Sequence, residues 1–199
     1  MTSLNSELII DSDVIRHNIS YIKRKIKKKS NFMAVIKSDA YGHLLEKLVP
    51  DIDDIVDGYG VVRIGEAKKI RKFSDKKVLL MQGVYSQLDH KKSIDLNLDI
   101  VVHNKDQFKL VEKNNNFTNL WMKVNTGMNR LGFEKDEFIN IYNEYLSNSE
   151  FVLMSHLAAS NDKNILTSMT LRSKIINLRK IKPGERVGYD GRAVAKKIC

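Results

Sequence analysis

The stretch Gly60–Met81, GVVRIGEAKKIRKFSDKKVLLM, holds the pattern that decides the fold. An apolar run, Gly60–Ile64, comes first. Glu66–Phe73 (EAKKIRKF) then mixes apolar and charged residues as an amphipathic helix does. A second apolar run, Val78–Met81, closes the stretch. Runs this short, rich in Val, Ile, Leu and Met, suit strands buried on both faces. The stretch therefore predicts strand, helix, strand.

The same alternation extends in both directions. Phe32–Ile36 precedes it, and Ile100–His103, Leu120–Val124 and Phe151–Leu153 follow. Between them, Lys105–Lys113 (KDQFKLVEK) reads as a helix with Asn104 as its N-cap. Glu134–Leu146 reads as another, with Phe138, Ile141, Tyr142 and Tyr145 along one side. Near the start, Asp13 or Ser12 is placed to cap a helix running to about Lys28. Repeated strand–helix units predict a parallel sheet with right-handed crossovers, either an open doubly wound sheet or a (β/α)8 barrel. No G-x-G-x-x-G follows the first strand, which disfavours a dinucleotide-binding sheet. A complete barrel takes about 250 residues and eight units. Six apolar runs before residue 160 predict an α/β fold with an incomplete barrel, open at the Phe32–Ile36 and Phe151–Leu153 strands.

From Met169 the rhythm changes. Met169–Lys180 alternates crudely between apolar and polar residues, as a half-exposed strand does, and Pro183-Gly184 marks a turn. This predicts the opening strand of an antiparallel β domain. The expected division is a truncated barrel over residues 1–162 and the start of a β domain over residues 168–199.

Composition bounds the function. The chain has 199 residues, 42% of them hydrophobic and 29% charged, with two prolines, so a packed core is expected and a disordered chain is not. The net charge is +10. Lysine is spread along the chain, and the one dense run, Tyr21–Lys29 (YIKRKIKKK), has Ile22 and Ile26 at helical spacing. It reads as the solvated face of a helix, and charge without base readout gives no expectation of a nucleic-acid partner. The apolar runs are too short to span a bilayer. The amino-terminal region carries Glu7, Asp11 and Asp13 and no long apolar stretch, so no secretory signal is expected. The single cysteine, Cys199, leaves no disulfide framework and fits the cytoplasm.

Three stretches fall at the carboxyl ends of expected strands, where barrels and open α/β sheets place their sites. In Met33–His43 (MAVIKSDAYGH), Lys37 directly follows an apolar run. A lysine there can lose hydration, which favours the neutral, nucleophilic amine; the plainer reading is a strand end marked by a solvated lysine. In Trp121–Phe133 (WMKVNTGMNRLGF), Gly127 and Gly132 flank Arg130. That arginine could anchor a phosphate, carboxylate or phenolic oxygen, or simply sit on a structural loop. In Met154–Ser160 (MSHLAAS), His156 taken alone reads as a satisfied histidine near the core.

Together these stretches resemble the alanine racemases, PLP-dependent enzymes whose barrel is followed by a β domain. VIKSDAYGH is similar to that family's V-x-K-x-[DN]-A-Y-G-H-G cofactor motif, VNTGMNRLGF to V-D-T-G-M-x-R-x-G, and MSHLAASND to T-H-F-A-x-[AS]-D. PGERVGYDGR is similar to the P-G-E-x-V-G-Y-G motif that begins the second domain. The four occur in the family's order, and YGVVRIGEAKKIRK and LDIVVHNKDQ fit the same alignment. The resemblance implies that Lys37 forms the Schiff base with PLP and acts as one catalytic base. It implies that Tyr41 bonds the cofactor phosphate and that Arg130 faces the cofactor's phenolic oxygen. Lys123 corresponds to the lysine that is carbamylated in many members and steadies that arginine. His156 corresponds to the histidine touching the second catalytic base, and Tyr189 to that base, a tyrosine that arrives from the partner subunit of a homodimer. The implied reaction is interconversion of L- and D-alanine, which supplies D-alanine for peptidoglycan. It needs two bases on opposite faces of Cα, because the proton leaves one face and returns on the other.

The chain also departs from the family. Between Asp162 and Met169 the resemblance calls for roughly two further βα units, yet residues 163–168 are all that separates them. The missing units hold the family's serine, glycine and isoleucine contacts to phosphate and the arginine facing the pyridine nitrogen. The chain stops ten residues after Tyr189, so it reads as internally deleted and C-terminally truncated. Asn125 stands where aspartate is usual, and Leu44 where the cofactor motif has glycine. A non-racemising barrel like the PLP homeostasis proteins is the rival in another class, and an inactive remnant is the third reading. The Met169–Arg192 tail counts against the single-domain rival.

Overall fold

The structure is a computed structural model that describes residues 6–112, 119–156, 169–173, 183, 186–187 and 193–194. The chain divides into two units: one of Met1–Ile9 with Met169–Cys199, the other of Ile10–Ser168.

The larger unit is the alternation made solid. Its strands are β2 (Met33–Val35), β3 (Gly58–Val61), β4 (Lys77–Leu80), β5 (Asp99–Val102), β6 (Leu120–Lys123) and β7 (Val152–Met154). They pair in parallel in sequence order, as a series of crossovers requires. All six overlap the apolar runs of the sequence, although β3 lies earlier than expected. The helix α4 (Ile64–Ile70) takes the end of that run. The connecting helices are α3 (Leu45–Ile52), α4, α5 (Gln87–Asp95), α6 (Lys105–Glu112) and α7 (Lys135–Ile141), the last continuing into a π-helical turn, Tyr142–Leu146. Asn104 caps α6, its Oδ1 accepting from the Gln107 N–H at 2.9 Å. The entering helix α1 (Ser12–Lys25) corrects the expectation at both ends. Asp11 is its cap, accepting from the Val14 N–H, and it ends at Lys25 rather than Lys28.

Because side chains alternate along a strand, each strand gives one face to the helices and one to the other side of the sheet. The helix-facing set is Ala34, Tyr59, Val61, Val78, Leu80, Ile100, Val102, Leu120 and Met122, and it forms the hydrophobic core with Ala67, Ile70 and Val111. The pairing register puts Val35, Gly60, Leu79, Val101, Trp121 and Lys123 on the other face. Gly60 shows why that face needs a small residue. A Cβ there would meet Met81 Sδ at 3.0 Å and Val35 Cγ2 at 3.4 Å. Near the amino end of this face, buried Asp99 accepts from Trp121 Nε1 at 2.8 Å and pairs with Lys77 Nζ at 3.3 Å. Among the described residues the sheet ends at β2 and β7. The open edges expected from six strands are therefore these two, and Leu153 on β7 is 61% exposed.

In the smaller unit, β1 (Ser6–Ile10) pairs with β8 (Met169–Ser173), and β9 (Arg186–Val187) pairs with β10 (Ala193–Val194) antiparallel. β8 lies in the stretch read as a strand. β1 was not foreseen.

Candidate functional site

Lys37 opens the segment that follows β2. Here the backbone does something the sequence did not announce. Ser38, Asp39, Ala40 and Tyr41 have φ of 54°, 54°, 56° and 53°, so α2 (Lys37–Tyr41) is a left-handed turn. Each L-residue in that conformation costs about 1–2 kcal/mol, and such strain persists only where its surroundings fix it. The fixing bonds are present. The Ser38 N–H donates to Glu66 Oε1 at 2.6 Å, while Glu66 Oε2 accepts from the N–H groups of Val62 and Arg63 at 3.1 and 2.9 Å. The Leu45 N–H donates to Asp39 Oδ1 at 3.1 Å, and Ala40 is buried against the core. Glu66 thus ties the turn behind Lys37 to the β3–α4 junction. Sequence reasoning missed it; its position at the third residue of a helix, where a carboxylate reaches back to the cap N–H, was the available signal.

The strain extends to Leu44, with φ 59° and ψ 86°. This is the position where the resemblance calls for glycine, and the backbone gives the reason. Leu44→Gly is expected to stabilise the chain by about 0.5–1 kcal/mol, strain relief outweighing the added freedom of the unfolded chain. A urea unfolding midpoint above that of the native chain is the check.

Tyr41 is 57% exposed, and its ring centroid lies 5.9 Å from Lys37 Nζ. Arg130 is exposed on the loop between β6 and α7. That loop is closed at its base by backbone bonds: Phe133 N–H to the Lys123 carbonyl and Asn125 N–H to the Phe133 carbonyl, both 2.9 Å. Gly132, at φ 124°, makes the closure possible, since a Cβ would lie 2.6 Å from the Asn125 nitrogen. A Thr126–Ser155 hydroxyl hydrogen bond joins the loop to the end of β7.

Asn125 organises the loop's interior. Its Oδ1 accepts from the N–H groups of Gly127 and Asn129 at 3.1 Å each, and its Nδ2 donates to Asn129 Oδ1 and Glu134 Oε1 at 2.8 Å each. An aspartate would lose both donations and face the Glu134 carboxylate. Asn125→Asp is therefore expected to destabilise this chain by about 1 kcal/mol at neutral pH, read as a lower urea midpoint.

Lys123, at the end of β6, is 6% exposed. Burial first, and then the Arg130 guanidinium, hold its ammonium below the usual lysine range. His156 follows β7 and is half-buried. Desolvation is the main cause that lowers it, and Lys123, Arg130 and Lys37 add to the effect. Three cationic groups, from the turn after β2, from β6 and from the β6–α7 loop, thus act on one imidazole. None of Lys37, Lys123 or Arg130 has a carboxylate partner among the described residues. The structure brings Lys37, Tyr41, Lys123, Arg130 and His156 to the carboxyl ends of the strands. Tyr189, the expected second base, lies outside the described residues. No cluster of acids, histidines or cysteines suited to a metal occurs among the described residues, and no helix there is long and apolar enough to cross a membrane.

A cluster of basic groups that no carboxylate pairs among the described residues suits an anionic ligand such as a phosphorylated cofactor. Lys37, lying at a strand end behind a braced turn, can serve as an amine that binds a carbonyl or moves a proton.

Residues 10–183 match the family described as alanine racemase, N-terminal domain. An alanine racemase of Psychrobacter sp. (strain PRwf-1) is 33% identical over 167 residues, which are 80% of this chain and 44% of that protein. The chain spans about half the length of the curated relatives it matches. The biosynthetic alanine racemase of Pseudomonas aeruginosa has the same fold, with a TM-score of 0.82 at 21% identity over 98% of this chain and 73% of the other. The alanine racemase of Bartonella henselae, solved with covalently bound pyridoxal phosphate, gives 0.75 at 16% identity over 98% and 73%.

Proposed function

The chain belongs to the family of alanine racemase N-terminal domains, and from that premise we propose that it holds PLP through Lys37 and exchanges the Cα proton of alanine, the chemistry that interconverts the L and D forms. The observation that carries this reading is the gathering of Lys37, Lys123, Arg130 and His156 at the strand ends, with three cations acting on His156 and none of the three in an ion pair with a carboxylate among the described residues.

The residues present fit the cofactor. Lys37 provides the amine for its aldehyde carbon. Arg130 provides a guanidinium for a ring oxygen, and Tyr41 a hydroxyl for the phosphate. When bound, PLP supplies an electron sink that acidifies the Cα proton of the attached amino acid. Lys37 then holds or returns that proton on one face. Glu66, through the Ser38 N–H, keeps the Lys37 turn in place, so the amine does not wander from the strand end. His156, whose affinity for a proton is lowered by burial and by Lys123, Arg130 and Lys37, is available as a hydrogen-bond partner for a tyrosine hydroxyl. Tyr189 is assigned the opposite face, from a partner subunit in a homodimer. With the phosphate contacts of two βα units missing from the 163–168 interval, Lys37 carries most of the hold on the cofactor, and turnover is slow. The reaction belongs in the cytoplasm and yields D-alanine for peptidoglycan precursors.

The test is proton NMR of L-alanine in D2O with the purified chain and PLP. Loss of the Cα proton signal faster than with PLP alone is expected. Bound PLP without exchange would favour a non-racemising PLP-binding barrel, and neither binding nor exchange would leave a remnant.

A further inference from the structure

The two open edges of the six-stranded sheet differ in a complementary way. The helix layer starts with α1, which packs on α3, and ends with α7 and its π-helical turn, which meets α6 through the Phe108–Tyr145 ring contact. α1 therefore stands at the β2 edge. A groove of about 240 Å3 there is lined by Ile15 and Ile19 of α1 together with Phe32, Ala34 and Ile36. At the β7 edge the described residues provide no following helix. Leu153 stands in register with Met122, a core residue on the helix-facing side, yet it is exposed. One edge carries a helix beside an apolar groove, and the other an apolar side chain with no helix over it.

The charges differ in the same sense. Residues 12–29, α1 and the turn after it, carry seven Lys and Arg side chains against one Asp. Residues 134–150, from the cap of α7 to the approach to β7, carry five Asp and Glu against one Lys. Arg16, Lys23 and Glu137 are engaged with Asp54, Asp57 and Lys105. Arg24, Lys25, Lys27, Lys28 and Lys29 gather before the amino end of β2, and Glu144 and Glu150 before the amino end of β7, all of them exposed. In a parallel pair the amino ends lie side by side, so a β7 edge set against a β2 edge brings these opposite charges together.

We propose that two copies of this chain associate through these edges, β7 of each pairing in parallel with β2 of the other about a two-fold axis that runs along the strands. The two-fold closes the contact. Both edges of both six-stranded sheets are used, and none is left to recruit a third copy. Alternation of faces sets Leu153 of one copy level with Ala34 of the other, so Leu153 enters the groove beside α1. Val35 and Val152, both exposed in the single chain, share the opposite face. α1 of one copy lies against α7 of the other, basic helix on acidic helix, and Glu144 and Glu150 face the lysines before β2. The pairing rests on the sheet edges and not on the cofactor reading.

The experiment is sedimentation velocity of the full chain without PLP over a range of concentrations, at low and at high salt. A two-chain species is expected, weakened as salt rises. Leu153→Lys puts a charge into the groove from a site exposed in the single chain. The fold should stand, as checked by circular dichroism, and the dissociation constant should rise roughly tenfold or more. Two charge-reversed chains make the comparison specific: Glu144→Lys with Glu150→Lys, and Lys27→Glu with Lys28→Glu and Lys29→Glu. Each alone has like charge at both edges and is expected to stay single. Mixed, they should form a one-to-one pair, because each then offers what the other's edges lack. Should Leu153→Lys unfold the chain, the charge-reversed chains carry the test. A native chain that is single at every concentration would overturn the proposal, as would a native species larger than two chains. So would a two-chain species that Leu153→Lys and both charge reversals leave intact, because the contact would then lie on another surface. Charge-reversed chains that stay single when mixed would overturn the pairing of β7 with β2.

Discussion

Lys37→Ala is expected to reduce the deuterium exchange of alanine to the rate seen with PLP alone, a loss of at least about 100-fold, the usual weight of a positioned acid–base group. Stability should change little. Lys37 Nζ lies 5.9 Å from the Tyr41 ring, a cation–π pair worth about 0.5–1 kcal/mol at an exposed site. An exchange rate that collapses while the urea midpoint stays in place would mark a chemical role. A rate that survives the substitution would remove Lys37 from the reaction and move the base elsewhere in the basic cluster.

Arg71→Ala should have the largest effect on the fold. The guanidinium leaves the end of α4 and reaches four carbonyls. Nε donates to Leu96 at 2.9 Å, Nη1 to Ser74 at 3.1 Å and Lys76 at 2.7 Å, and Nη2 to Asn97 at 2.8 Å. It therefore joins the turn before β4 to the turn before β5. Truncation leaves several partly buried acceptors unpaired, and about 3 kcal/mol of stability should be lost. In urea that is a midpoint lower by about 1–2 M. Arg71→Lys should recover only a small part, because an ammonium on one stem lacks the planar fork of donors that Arg71 spreads over four carbonyls. An unchanged midpoint for Arg71→Ala would show that solvent replaces those bonds at no cost.

The strands were legible because a parallel sheet covered on both faces writes itself as short apolar runs. Val78–Met81 and Leu120–Val124 leave no other reading at that length. Asn104 was legible as a cap because a side-chain oxygen before a helix has one local use. Two helices were not. α5 buries His90 and Ser93 in place of apolar residues, so it shows no apolar stripe. α3 carries Pro50 inside it, which reads as an interruption. β1 escaped because its partner, β8, lies far away in sequence. The site was legible in its types but not in its mechanics. Lys37, Arg130 and His156 could be placed at strand ends from the sequence. The left-handed run Ser38–Tyr41 could not, because it is imposed by Glu66 and Asp39 across space rather than by local preference.

Reduction of the chain with borohydride in the presence of PLP, followed by peptide mass spectrometry, tests the cofactor site most directly. The pyridoxyl mass should appear on the peptide carrying Lys37, and Lys37→Ala should abolish that label. A label on another lysine, with Lys37 unmodified in the native chain, would contradict the assignment of the site.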